Sequence, residues 1–198
     1  MSIEVIFMTL EIYLVFAFIR SIYRWIRYFI RLCALRRTFK KLTRAGITVT
    51  YKRGLRQIVF GKKGGVDIVL TVGNQKYGVA LLTHRLGMGR WNIEKTRNHY
   101  YFEVRKSSVF FHLQRSSEKL PDHVTEFGRE KQVNRALLNL SAPAEAYDRL
   151  YLLVYPKPKY LTYTETRHKY LYASDTVGDY EILFADGLQR LTEKDSSA

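Results

Sequence analysis

One cysteine and four prolines are sparse punctuation for a chain of 198 residues. With Cys33 alone, neither an intramolecular disulfide nor a multi-cysteine metal site can form. Cys33 falls on the apolar side of a helical pattern, so a buried, inert thiol is expected there, with palmitoylation as the alternative. Acidic residues are also few: 18 Asp and Glu stand against 33 Lys and Arg, a net charge of +15. That balance admits three partners: anionic lipid headgroups, nucleic acid or an acidic protein surface. The five histidines, His84, His99, His112, His123 and His168, are scattered, and none has a companion at zinc-ligand spacing. No serine or cysteine nucleophile signature and no internal repeat is visible. The basic glycine segment Gly61-Lys-Lys-Gly-Gly65 lacks the P-loop spacing and precedes a strand, not a helix. A solvated hairpin turn is expected there ahead of an anion nest.

What is present begins with residues 3–19, almost unbroken in apolar side chains and interrupted by Glu4 and Glu11. The run is slightly short of the ~20 residues that cross a hydrocarbon core. Arg20 can snorkel, and Tyr23, Trp25 and Tyr28 suit an interfacial aromatic belt. The segment makes a poor cleaved signal peptide, having no positive n-region before it and no small-residue cleavage site after it.

On a continuous helix at ~100° per residue, Arg20, Arg24, Arg27 and Arg31 form one narrow stripe. Ile22, Trp25, Ile26, Phe29, Leu32 and Cys33 lie opposite. Such a helix suits a headgroup layer, or equally an ordinary domain surface. Arg36, Arg37, Lys40 and Lys41 extend the basic character, and all eight cations are candidate contacts for a membrane surface or anion. The apolar-then-basic order places the N-terminus outside and the following domain in the cytoplasm. The alternative is a soluble subunit that docks its apolar segment into an oligomer.

Beyond Gly46 the period changes to two. Residues 47–51 read as a strand with 56–60 as its partner. Residues 66–72 and 77–81 form a hairpin about Gly73-Asn74. A second pair is expected at 99–105 and 109–114, a helix at 128–140, strands at 151–155 and 180–184, and a short helix at 187–193. The fold class is α+β or α/β: a membrane-type helix followed by one mixed-sheet domain. The divisions are 1–21 for the apolar helix, 22–44 for the basic amphipathic helix, 45–191 for the domain and 192–198 for a polar tail.

The order helix, strand, a strand bearing Asp67, a hairpin strand over 76–83, then helix and strand resembles the core of the restriction-endonuclease-like nuclease superfamily, over residues 24–155. The resemblance implies Mg²⁺ held by an Asp and by a Glu/Asp-x-Lys motif. Asp67 matches the first position, but Tyr77-Gly-Val-Ala-Leu-Leu-Thr83 supplies neither the carboxylate nor the lysine. Glu103-Val-Arg105 is the nearest substitute, and arginine is always protonated, so it cannot act as a base. Asp67 and Glu103 are therefore the weak catalytic candidates, with Mg²⁺ as cofactor only in that case and otherwise none. Arg85-Leu-Gly-Met-Gly-Arg-Trp91, with Arg97, Tyr100 and Tyr101, mixes cations and aromatics as base-stacking surfaces do. The reading that follows is a membrane-anchored, basic, non-catalytic α+β protein that binds an acidic partner or lipid surface. A membrane-tethered, nuclease-like nucleic-acid-binding protein is the alternative.

Overall fold

Glycine chemistry fixes the end of the first element. The helix α1 (Ile3–Arg44) runs for 42 residues, about 63 Å at 1.5 Å per residue. It stops where Gly46 adopts a φ of +92°, a left-handed turn that glycine makes without a Cβ clash. The Gly46 N–H donates to the Thr43 carbonyl and the Ile47 N–H to the Leu42 carbonyl at 3.1 Å, the paired bonds of a Schellman cap. The structure is a computed structural model that describes residues 3–54, 57–58, 63–85, 89–97, 99–106, 131–141, 143 and 145–188.

The strands that follow are β1 (Thr48–Tyr51), β2 (Lys63–Gly64), β3 (Ile68–Val72), β4 (Gln75–Leu82), β5 (Arg90–Thr96) and β6 (His99–Lys106). After them come β7 (Lys131–Asn139), β8 (Arg149–Val154), β9 (Tyr160–Thr164), β10 (His168–Tyr170), β11 (Thr176–Val177) and β12 (Tyr180–Phe184). They form two six-stranded sheets, in the orders β1-β3-β4-β8-β12-β11 and β10-β9-β5-β6-β7-β2. Both are mixed: β4 and β12 run parallel to β8 in the first, and β9 runs parallel to β5 in the second. The fold is thus α+β as expected, but with two packed sheets where one was anticipated.

The first sheet is covered on both faces, which explains the continuous apolar runs of β4 and β8. Tyr77, Val79, Leu81, Tyr151 and Leu153 point to the core beneath α1. Ala80, Leu82, Leu152 and Val154 point between the sheets, where Trp91, Phe102 and Tyr180 are fully buried. The second sheet has only its inner face in this core. Its outer face carries Asn92, Glu94, Glu103, Arg135, Thr162 and Thr164, tied by hydrogen bonds and ion pairs.

α1 meets the first sheet along Tyr28, Leu32, Leu35, Phe39 and Leu42, each no more than 3% exposed. Their spacing of four, three, four, three keeps one seam in contact. Full burial of such side chains contributes about 1.5–3 kcal/mol each. Phe39 meets Tyr51 of β1 edge-on at 6.1 Å, and the Tyr155 hydroxyl donates to the Arg31 carbonyl at 3.0 Å.

Several sequence expectations are corrected. The stretch expected as a helix over 128–140 contains β7, and its first three residues lie outside the described ones. Leu138 and Leu140 are buried while Leu137 is 53% exposed, which is alternation at a period of two. Apolar positions 133, 136, 137 and 140 fit a helical stripe as well, and pairing with β6 decides for the strand. Among the described residues, β5, β6 and β7 lie between β4 and β8. The partner of β1 is β3; of residues 56–60 only Gln57 and Ile58 are described, and they are helical. Lys63–Gly64 pairs in parallel with β7 and is no hairpin turn. The expected strand 109–114 and residues 189–193 lie outside the described residues. The hairpin at Gly73-Asn74, β6, β8 and β12 fall where the sequence put them.

Candidate functional site

α1 changes character along its length. The C-terminal half is docked, whereas Phe7, Met8, Leu10, Ile12, Tyr13, Leu14, Val15, Phe16, Phe18 and Ile19 are all between 52% and 68% exposed. At 100° per residue these positions surround the whole helix, so the bare surface is an apolar cylinder and not a stripe. Further along, Ile22, Ile26, Phe29 and Ile30 continue it on the side away from the sheet. Among the described residues no helix is long and apolar enough to cross a membrane.

Cys33 belongs to this outward side and is exposed, against the expectation of a buried thiol. The reason is which face the sheet accepts. Beyond residue 33 the outward positions are Arg36, Arg37, Lys40 and Lys41, all exposed. Only the seam through Tyr28 and Leu42 stays apolar to the end of the helix, and the domain docks there. Tyr28, expected in an interfacial belt, is part of that seam and 2% exposed. Tyr23 remains 57% exposed, with the Arg27 guanidinium 5.7 Å from its ring centroid.

The arginine stripe lies beside the docked seam. Arg20 and Arg27 are exposed, while Arg24 and Arg31 are half-buried where the helix reaches the domain. Trp25 is also half-buried, edge-on to Tyr28 at 5.9 Å and stacked on Phe29 at 6.0 Å. On the domain side, Arg85 follows β4 and places its guanidinium 5.6 Å from the Trp25 ring centroid. Burial, and then the charges of Arg20 and Arg85, lower the pKa of Arg24. Among the described residues no carboxylate pairs with Arg20, Arg24 or Arg85. The sequence reading missed Arg85 in this role: the residue is sixty positions from Trp25, and no local pattern reveals which side chain it meets.

Asp67 lies at the foot of β3, 1% exposed. Its Oδ2 accepts the Leu81 N–H at 2.7 Å, and its Oδ1 lies 2.5 Å from Arg53 Nε. Its backbone carbonyl accepts the N–H groups of Lys52 and Arg53. Arg53 also donates to the Gly64 carbonyl, so this carboxylate ties β3, β4 and the segment leading to β2 together. Burial pushes its pKa up, opposed by the Leu81 N–H and by Arg53 and Lys63. Lys63, half-buried nearby, donates to the Ile58 carbonyl at 3.1 Å, and burial lowers its pKa. His84 is driven down to about 4 by burial and by the charges of Lys63 and Arg85.

Glu103 is on the other sheet, facing outward, paired with Arg105 at 3.0 Å and Arg135 at 3.2 Å. The two acidic candidates are therefore not brought together. Asp67 already spends both oxygens on protein donors, and an Mg²⁺ ion needs several hard oxygen ligands. The donor set does not fit the ion, and no cluster of metal-ligating side chains exists among the described residues. Trp91 is fully buried, so it offers no stacking platform for bases. Arg90 instead covers Tyr160 at 4.8 Å, and Arg135 covers Tyr101 at 4.4 Å.

Compared with protein-family models, with curated proteins and with solved structures, the chain has no match in any of the three.

Proposed function

We propose that this chain is a membrane-associated binding protein, with the N-terminal part of α1 embedded in lipid and the double-sheet domain held at the cytoplasmic face. The observation that carries the reading is the apolar cylinder formed by residues 7–19. A helix that is hydrophobic all round needs an apolar environment on every side, and a bilayer supplies one. A single partner helix needs only a seam. The apolar run from Ile3 to Ile19 is about 25 Å long by helical rise, slightly less than the ~30 Å hydrocarbon core. Arg20, Arg24, Arg27 and Arg31 then sit at headgroup depth, and Arg36, Arg37, Lys40 and Lys41 lie just beyond it. Each cation near an anionic surface adds about 1 kcal/mol.

The domain supports binding and not catalysis in this reading. Its buried carboxylates, Asp67 and Glu103, are engaged in ion pairs, and its chemistry-bearing side chains do not converge among the described residues. The cytoplasmic placement rests on the excess of Lys and Arg directly after the apolar run.

The test is fractionation of the full chain with a C-terminal tag. Recovery in the membrane pellet after alkaline carbonate is expected, together with removal of the tag by protease only once the cytoplasmic side is opened. A second arm places a charge in the cylinder, Leu14→Asp, which disfavours insertion by about 2.5–3.5 kcal/mol at a helix centre. Release of the wild-type chain by carbonate, or unchanged retention of the Asp variant, would sink the reading. Recovery as a discrete oligomer without lipid would favour apolar docking between subunits.

A further inference from the structure

We propose that Arg20 and Arg24 of α1, together with Arg85, whose guanidinium covers Trp25 where α1 meets the β-domain, form a binding site for the phosphate of an anionic phospholipid headgroup. The proposal rests on the embedded-helix reading and adds a defined contact to it. Arg20, exposed, and Arg24, half-buried, are one helical turn apart on the stripe beside the docked seam. Arg85 approaches the same turn from the loop after β4, fixed over the Trp25 ring. The charges of Arg20, on the helix, and Arg85, on the domain, both act on Arg24.

Elsewhere three described arginines are paired with carboxylates. Arg53 has Asp67, and Arg105 and Arg135 have Glu103. At the junction no described carboxylate does the same for Arg20, Arg24 or Arg85. Burial, and then the charges of Arg20 and Arg85, lower the proton affinity of the half-buried Arg24, as desolvation and like charges both do for a cation. A bound anion would remove that cost. Guanidinium groups present planar, forked donors that match phosphate oxygens in pairs.

The position favours a lipid source. Arg20 directly follows the apolar run, and Arg24 is one turn, about 6 Å, further along the axis. Tyr23 and Trp25, between and beside them, have the amphipathic rings that settle at headgroup level. A diffuse basic surface would attract any anionic membrane. A built site adds a dependence on particular arginines.

The experiment measures binding of the full chain to phosphatidylcholine vesicles with and without phosphatidic acid, comparing wild type with Arg24→Gln, Arg85→Gln and Arg37→Gln. Arg37 is exposed and lies on the outward side of the helix, so its variant loses the same charge away from the cluster. The preference for phosphatidic acid should fall about tenfold or more in Arg24→Gln and Arg85→Gln, as for a lost charge-assisted hydrogen bond, and much less in Arg37→Gln. Binding to pure phosphatidylcholine should stay unchanged in all four, and far-ultraviolet circular dichroism should confirm that each variant is folded. Equal losses in Arg85→Gln and Arg37→Gln would overturn the site while leaving the embedded helix intact. Failure of the wild type to bind phosphatidylcholine would instead strike the underlying reading. A calorimetric titration with inorganic phosphate separates the sources. Saturable phosphate binding by the detergent-solubilised wild type, without any gain from phosphatidic acid in vesicles, would assign the cluster to free phosphate and overturn the lipid proposal.

Discussion

Phe16 and Phe39 belong to the same helix, yet one is 63% exposed and the other 2%. The two halves of α1 differ both in how apolar they are and in what surrounds them. The C-terminal half has one apolar seam, and the first sheet covers it. The N-terminal half is apolar on every side, and nothing in the chain covers it among the described residues. Contiguous bare apolar surface of this extent marks interaction sites in folded proteins, and it is the basis of the embedded-helix proposal.

The strongest way to break this comparison is Phe39→Ala. A large side chain lost from beneath the helix leaves a cavity, so denaturant unfolding in detergent should show about 3–5 kcal/mol of destabilisation. A cost under about 1 kcal/mol would mean that the helix does not dock on the sheet as described.

Acid tests the other side of the first sheet, where the His84 ring lies 6.3 Å from that of Phe102. The folded-state pKa of His84 is lowered from 6.5 to about 4, so the unfolded chain takes up this proton first as pH falls. The stabilisation is whole above pH 6.5 and is lost as pH drops from there to about 4, at up to roughly 1.4 kcal/mol per pH unit. Asp67 runs the other way, because its raised pKa lets the folded protein accept a proton as acid is added. Thermal unfolding of wild type and His84→Gln across that interval should give a flatter profile for the variant. Identical slopes would show that His84 is not the group being titrated.

A smaller effect is expected from Tyr155→Phe, which removes the hydroxyl donated to the Arg31 carbonyl. The loss should be about 1 kcal/mol, typical of one intramolecular hydrogen bond. The smallest belongs to Phe16→Ala, within about 0.5 kcal/mol for domain unfolding, as for exposed positions generally. If Phe16→Ala costs as much as Phe39→Ala, the free half of the helix packs on something within the chain.

The contrast also explains how much was legible in the sequence. The helix end at Gly46 and the hairpin at Gly73-Asn74 depend on neighbouring residues alone, and both were readable. β7 was not, because its apolar residues satisfy two periods over so short a stretch. β5 was hidden for another reason: Arg90, Glu94 and Lys95 make it look like a surface segment, although Trp91 and Ile93 are fully buried. Asp67 was visible as a candidate, but its partners Arg53 and Leu81 come from different stretches of chain. Local sequence could not show that the carboxylate was already engaged.

The sequence by itself determined where the apolar run ends, where the cations begin, and that an α+β domain follows, because charge, hydropathy and turn chemistry are properties of adjacent residues. Only the tertiary structure decided which side of α1 is covered, why Cys33 faces outward, and that Arg85 covers Trp25. Those outcomes depend on which face the first sheet accepts and on residues sixty positions apart, and helical periodicity carries no information about either.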